Sequence, residues 1–136
     1  MASILNPYLN FDGNTREAME FYQSVLGGQL DVMTFGQMGG EPADGVMHAY
    51  LGTPAGFHLM ASDGPPGQPA PTPGGAVSLS LSGDDHDELT GWFHALAEGG
   101  TVLQALEPQM WGDTFGMCVD RFGIQWLVNI SGQRQG

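Results

Sequence analysis

Two histidines and a carboxylate, His48, His58 and Asp63, fall within one stretch of the chain. Two imidazoles and a carboxylate suffice to hold zinc or iron, and an imidazole alone can carry a proton at neutral pH. No close or helix-borne spacing sharpens that set, so both histidines read as polar residues of a sheet face, with a relocated metal site or acid–base role as the alternative. The run Asp84-Asp85-His86-Asp87-Glu88 opens an amphipathic segment, where carboxylates cap free N–H groups and meet the positive end of the helix dipole; it reads as a helix start, with His86 and His94 solvated. Cys118 has no base beside it in sequence and reads as core. Ser78, Ser80 and Ser82 alternate without a Gly-x-Ser-x-Gly elbow, which argues for a polar strand face and against acyl transfer.

The elements that must position these residues are written twice. Asn14-Thr15-Arg16-Glu17 leads into Ala18, Phe21, Tyr22, Val25 and Leu26 and stops at Gly27-Gly28; Asp85-His86-Asp87-Glu88 leads into Leu89, Trp92, Phe93, Leu96 and Ala97 and stops at Gly99-Gly100. Each has a cap residue with Glu three places on, one apolar stripe at helical spacing and a glycine terminator. Leu9 and Phe11 before the first helix match Leu79 and Leu81 before the second. Extended segments follow at Leu30 to Phe35 and Val102 to Leu106, and closing strands align Gly56, Phe57, Leu59 and Met60 with Gly123, Ile124, Trp126 and Leu127. The fold class is therefore α+β, two tandem β-α-β-β-β modules, forming curved mixed sheets around a cleft if the two sheets curl toward each other. Residues 1–136 form one domain: a first module over 4–62, a Pro/Gly linker over 63–75, a second module over 76–130 and a tail over 131–136. The glycine-containing segment 36–45 reads as a mobile connection.

Strand alternation assigns the faces. Leu5, Pro7, Leu9 and Phe11 alternate with Asn6, Tyr8 and Asn10; Val77, Leu79 and Leu81 alternate with Ala76, Ser78 and Ser80. Phe57, Leu59 and Ala61 oppose His58, Met60 and Ser62, and Ile124, Trp126, Val128 and Ile130 oppose Gln125, Leu127 and Asn129. The first set of each pair packs on a helix. The second lines the cleft, so Tyr8, His58, Met60, Gln125 and Asn129 are ligand-binding candidates, joined by His48, whose direction alternation leaves open, and by Trp111, a loop aromatic placed for stacking. No catalytic residue is assigned.

Three Lys and Arg against fifteen Asp and Glu give a net charge of −12, which repels nucleic acid and anionic membranes and favours neutral or cationic ligands. No stretch reads as a leader or a membrane span, and a lone cysteine excludes an internal disulfide, so the expected compartment is the cytoplasm. The turn Phe11-Asp12-Gly13-Asn14 offers one glycine, too few for a nucleotide cradle, so no cofactor is expected and methyl transfer is disfavoured.

Taken together, Asn6-Pro7-Tyr8-Leu9, Glu17-Ala18 to Phe21-Tyr22, Val46-Met47-His48-Ala49, Met60-Ala61-Ser62-Asp63, Trp111-Gly112-Asp113 and Asp120 to Trp126 resemble the vicinal-oxygen-chelate superfamily of glyoxalases, bleomycin-resistance proteins and extradiol dioxygenases, in its PhnB-like branch. The resemblance implies paired modules, a homodimer with Met33, Phe35 and Met38 as interface candidates, and a metal held by His or Glu at the start of each first strand and the end of each last strand. Those slots fall here on Asn6, Ala76, Met60 (or Leu59) and Leu127, which are not ligands for a hard or borderline divalent cation. No metal is expected there. The function expected is therefore metal-free binding of a small cationic or aromatic molecule in the inter-module cleft; the alternative is a lyase, isomerase or dioxygenase using His48 and His58, by metal or by acid–base chemistry.

Overall fold

The structure is a computed structural model that describes residues 5–11, 13–40, 43–63 and 77–132, with nothing to be said of the Met38 side chain. Residues 64–75 of the expected linker, Ala76 and residues 133–136 of the tail lie outside the described residues. The chain divides into two compact units, Met1–Pro71 and Thr72–Gly136.

The first unit runs β1 (Tyr8–Phe11), α1 (Thr15–Leu26), β2 (Gln29–Thr34), a short 3-10 turn at Gly36–Met38, β3 (Val46–Gly52) and β4 (His58–Asp63). Its sheet has the order β1-β4-β3-β2, with β1 parallel to β4 and the other neighbours antiparallel. The second unit repeats this with β5 (Leu79–Gly83), α2 (His86–Ala97), β6 (Thr101–Pro108), β7 (Thr114–Val119) and β8 (Gln125–Ile130), in the order β5-β8-β7-β6. The α+β fold of two four-stranded mixed sheets, each with one helix, is what the duplicated pattern predicts. Among the described residues no helix is long and apolar enough to cross a membrane.

Each helix forms because its apolar stripe has a sheet face to cover. Ala18, Met19, Tyr22 and Leu26 of α1 are buried, as are Leu9, Phe11, Leu51, Leu59 and Ala61 of the first sheet. Leu89, Phe93 and Leu96 of α2 are buried, as are Leu81, Cys118, Trp126, Val128 and Ile130 of the second. Alternation fails at the strand starts: Leu5 precedes β1 and is 99% exposed, and Val77 precedes β5 and is 76% exposed. The strand register also corrects the repeat. Leu9 pairs with Ala61 and Leu81 with Val128, so the match of Leu9 is Leu81, not Leu79, and the match of Asn6 is Ser78, not Ala76. The shift is by two residues, which leaves every side chain on its assigned face.

Two glycines do more than end helices. A Cβ on Gly28 would collide with the Gly52 carbonyl, and one on Gly100 with the Val119 carbonyl, at equivalent points where the chain leaves the helix and crosses the sheet end. The helix starts differ from expectation. Asn14 makes no side-chain cap bond. Asp63, at the end of β4, takes its place: Oδ1 accepts from the Thr15 backbone N–H (3.1 Å) and hydroxyl (2.6 Å), and Oδ2 accepts from the Val46 N–H (2.8 Å). In the second unit Asp85 caps as expected, accepting from the Glu88 N–H at 3.1 Å. The segment after β2, expected to be a mobile connection, is tied at its ends by Phe35 N–H to the Gly45 carbonyl (2.9 Å) and Gly36 N–H to the Ala43 carbonyl (3.1 Å).

Candidate functional site

The helix-free face of the first sheet is set by the register. One row across it reads Tyr8, Met60, Tyr50, Asp31, from paired positions on β1, β4, β3 and β2. His58 lies opposite Gly52, and His48 lies opposite Met33. A register shift between Met33 and Thr34 takes Met47 out of the ladder. His48 therefore shares the parity of Tyr50 and lies opposite in direction to buried Ala49 and Leu51, which settles what sequence alternation leaves open.

Each histidine meets a tyrosine. The Tyr50 hydroxyl is 2.5 Å from His58 Nδ1, and the Tyr8 hydroxyl is 3.4 Å from His48 Nδ1, a long contact. The ring centroids are 5.8 and 5.9 Å apart respectively. Sequence reasoning names no orienting partner for either histidine and misses Tyr50 altogether. The signal available was its parity with His48 on one strand.

The alternative metal set of His48, His58 and Asp63 is not assembled. His58 pairs with Gly52, four residues along β3 from His48, which separates the two histidines by about 13 Å. Strand side chains stand roughly perpendicular to the sheet, so the rings do not share an ion. Asp63 is on the other face, buried and committed to the α1 cap. Among the described residues no three His, Cys, Asp or Glu side chains gather closely enough to hold a metal ion. The family's own slots fare no better: Asn6, Ser78, Met60 and Leu127 supply an amide, a hydroxyl, a thioether and a hydrocarbon, and Leu59 is buried on the helix side. That donor set does not fit a hard divalent cation.

In the second unit the equivalent row reads Ser80, Leu127, Met117, Gln104. Gln125 stands where His58 stands, and Phe115 where His48 does. Every titratable group of the first face thus has a non-titratable counterpart. Gln125 Nε2 donates to Met117 Sδ (3.3 Å), and Asn129 Nδ2 donates to Asp113 Oδ2 (3.1 Å) at the foot of the β6–β7 hairpin. Trp111 is 62% exposed at the tip of that hairpin, with Met110 at 99%. Of the expected binding residues, Tyr8, His48, His58 and Met60 come together on one face, while Gln125 and Asn129 lie on the corresponding face of the second sheet and Trp111 on a turn.

Cys118 is buried, and its thiol is pushed up to about 11 by burial first and by the nearby Asp120 charge second, so it is an inert core group. Asp120 is itself structural. Its Oδ1 accepts from the Phe122 and Ile124 N–H groups (2.8 and 3.1 Å) and its Oδ2 from Trp126 Nε1 (2.8 Å), which ties the turn before β8 to the core.

Paired β-α-β-β-β units whose helix-free sheet faces carry the polar and aromatic groups define a glyoxalase-type fold. The sequence profile of the Glyoxalase/Bleomycin resistance protein/Dioxygenase superfamily matches residues 4–128, and the chain belongs to that superfamily. It is 31% identical over 145 residues to protein YjdN of Escherichia coli, a match covering 96% of this chain and 97% of that one. The solved structure of protein PA1353 from Pseudomonas aeruginosa is 41% identical with a TM-score of 0.83, covering 97% of this chain and all (100%) of that one. A PhnB protein from Bacillus cereus, for which a 3-demethylubiquinone-9 3-methyltransferase activity has only been suggested, is 26% identical with a TM-score of 0.77, covering 95% of this chain and 100% of that one.

Proposed function

We propose that this protein binds a small, flat organic molecule, neutral or cationic, on the helix-free face of its first sheet. The observation that carries the reading is the row Tyr8, Met60, Tyr50 with a histidine held beside each tyrosine: ring faces and a thioether supply apolar contact, and the imidazoles supply oriented polar contacts. The net charge of −12 supports the exclusion of anionic ligands. The donor set at the family's metal slots supports binding without a metal. Methyl transfer, the activity in the Bacillus neighbour's description, gains no support from a β1–α1 turn with one glycine.

Screening fused-ring aromatic fragments against protein labelled at the methionine methyl groups tests this. Hits are expected to shift the Met60 methyl resonance and to weaken on Tyr50→Ala; hits that leave Met60 unmoved, or none, refute it. The acid–base reading is favoured by one observation, the Tyr50–His58 bond, which supplies the orienting partner a proton-carrying histidine needs. Self-association belongs to the proposal as well, since the edge strand β6 exposes Val102 and Leu103; sedimentation as a monomer would count against it.

A further inference from the structure

The geometry points to a ligand with an uncharged oxygen acceptor at each end, because each imidazole of this face turns Nδ1 to a tyrosine hydroxyl and leaves Nε2 as its N–H donor. This deepens the binding role proposed above and rests on it. A neutral imidazole carries one N–H, and which nitrogen bears it is set by the bond the other makes. A phenol is a better donor than acceptor, and an imidazole lone pair is a strong acceptor, so the Tyr50 hydroxyl donates to His58 Nδ1. The proton of His58 is then on Nε2. The Tyr8 hydroxyl faces His48 Nδ1 at 3.4 Å, a longer and weaker contact that favours the same tautomer. Neither Nε2 has a hydrogen-bond partner among the described residues. Both histidines are half-buried, where a donor without a partner is costly and an acceptor brought by a ligand is rewarded.

The spacing gives the length. The register sets the backbones of the two histidines about 13 Å apart along the sheet, and Met60 and the tyrosines of the same face supply an apolar bed for a flat body. Asp31, paired with Tyr50 in the same row, disfavours a carboxylate or phosphate at the acceptor ends. The class that remains is an elongated aromatic diketone or a molecule with equivalent carbonyl oxygens at its two ends. Donor-ended molecules such as aryl diamines would set N–H against N–H.

Two measurements on the intact protein at pH 8 test this. Two-bond nitrogen–proton spectra of histidine-labelled protein are expected to show His58 and His48 as Nε2–H tautomers. Titration with two neutral probes of one shape, 2,6-diacetylnaphthalene and 2,6-diaminonaphthalene, is expected to favour the diketone at least tenfold, an advantage that falls several-fold in Tyr50→Phe. An Nδ1–H tautomer at His58, a preference for the diamine, equal affinities, or binding of neither probe overturns the inference. If fragments from the wider screen still shift Met60 in any of those cases, the binding role stands and only the acceptor rule falls.

Discussion

Replacing Asp63 with alanine should be the most damaging single change to a polar side chain of the first unit. The carboxylate is 7% exposed and takes three hydrogen bonds, two from Thr15 and one from the Val46 N–H, with Thr15 0% and Val46 1% exposed. Alanine strands two buried backbone N–H groups, at about 1–3 kcal/mol each, and the Thr15 hydroxyl can turn only partly to compensate. The total is roughly 3–5 kcal/mol, a large part of the 5–15 kcal/mol that holds a typical domain. Asp63→Asn keeps an oxygen for Thr15 but turns an NH2 on the Val46 N–H, and should cost about 2 kcal/mol. Asp85→Ala is the internal control, because that cap is exposed and makes one bond at 3.1 Å; its loss should cost about 0.5–1 kcal/mol. Urea titration followed by far-ultraviolet circular dichroism measures all three. If Asp63→Ala loses less than about 1 kcal/mol, or no more than Asp85→Ala, the strand-end carboxylate does not hold the helix start and the account of this unit is wrong.

Gly28→Ala should lose about 2–4 kcal/mol, since φ is +101° and a Cβ meets the Gly52 backbone, whereas Gly56→Ala, at φ +92° in open space, should lose only about 1 kcal/mol; thermal melts separate the two. Trp126→Phe removes the 2.8 Å bond to Asp120 from the core and should cost about 2 kcal/mol by the same titration. For Cys118 the folded thiol ionises near 11 and the unfolded one near 9.0, so its contribution is whole below pH 9 and is lost as pH rises toward 11. Wild type should therefore lose on the order of 2 kcal/mol more than Cys118→Ala across that interval, and the native thiol should resist aromatic disulfide reagents at pH 8 until denaturant is added.

Most of the fold was legible because its signals are periodic. Ala18, Tyr22 and Leu26 of α1, Leu89, Phe93 and Leu96 of α2, the glycine pairs after the helices and the buried alternation of β4 and β8 follow from spacing, whereas fully buried Met19 falls outside the expected stripe and Phe21, Val25, Trp92 and Ala97 are only half-buried. What sequence could not deliver were contacts between residues far apart in the chain. Nothing near Thr15 announces that its cap comes from Asp63, and the same carboxylate, seen only as a neighbour of His58, looks like a metal ligand. The pairing of Tyr8 with His48 joins β1 to β3 across β4, and a bulge at Met47 breaks the alternation between buried Val46 and His48. The slip of two in the first-strand alignment has the same origin, since Leu79 and Leu81 fit one apolar pattern equally well and only pairing with β8 distinguishes them.

The two units share a backbone plan but not a proton inventory. At six equivalent positions the first sheet carries Tyr8, His48, Tyr50, His58, Met60 and Asp31, while the second carries Ser80, Phe115, Met117, Gln125, Leu127 and Gln104. One backbone plan used twice has thus let the helix-free faces diverge, while Leu51, Leu59 and Ala61 and their counterparts Cys118, Trp126 and Val128 stay buried against a helix in both copies.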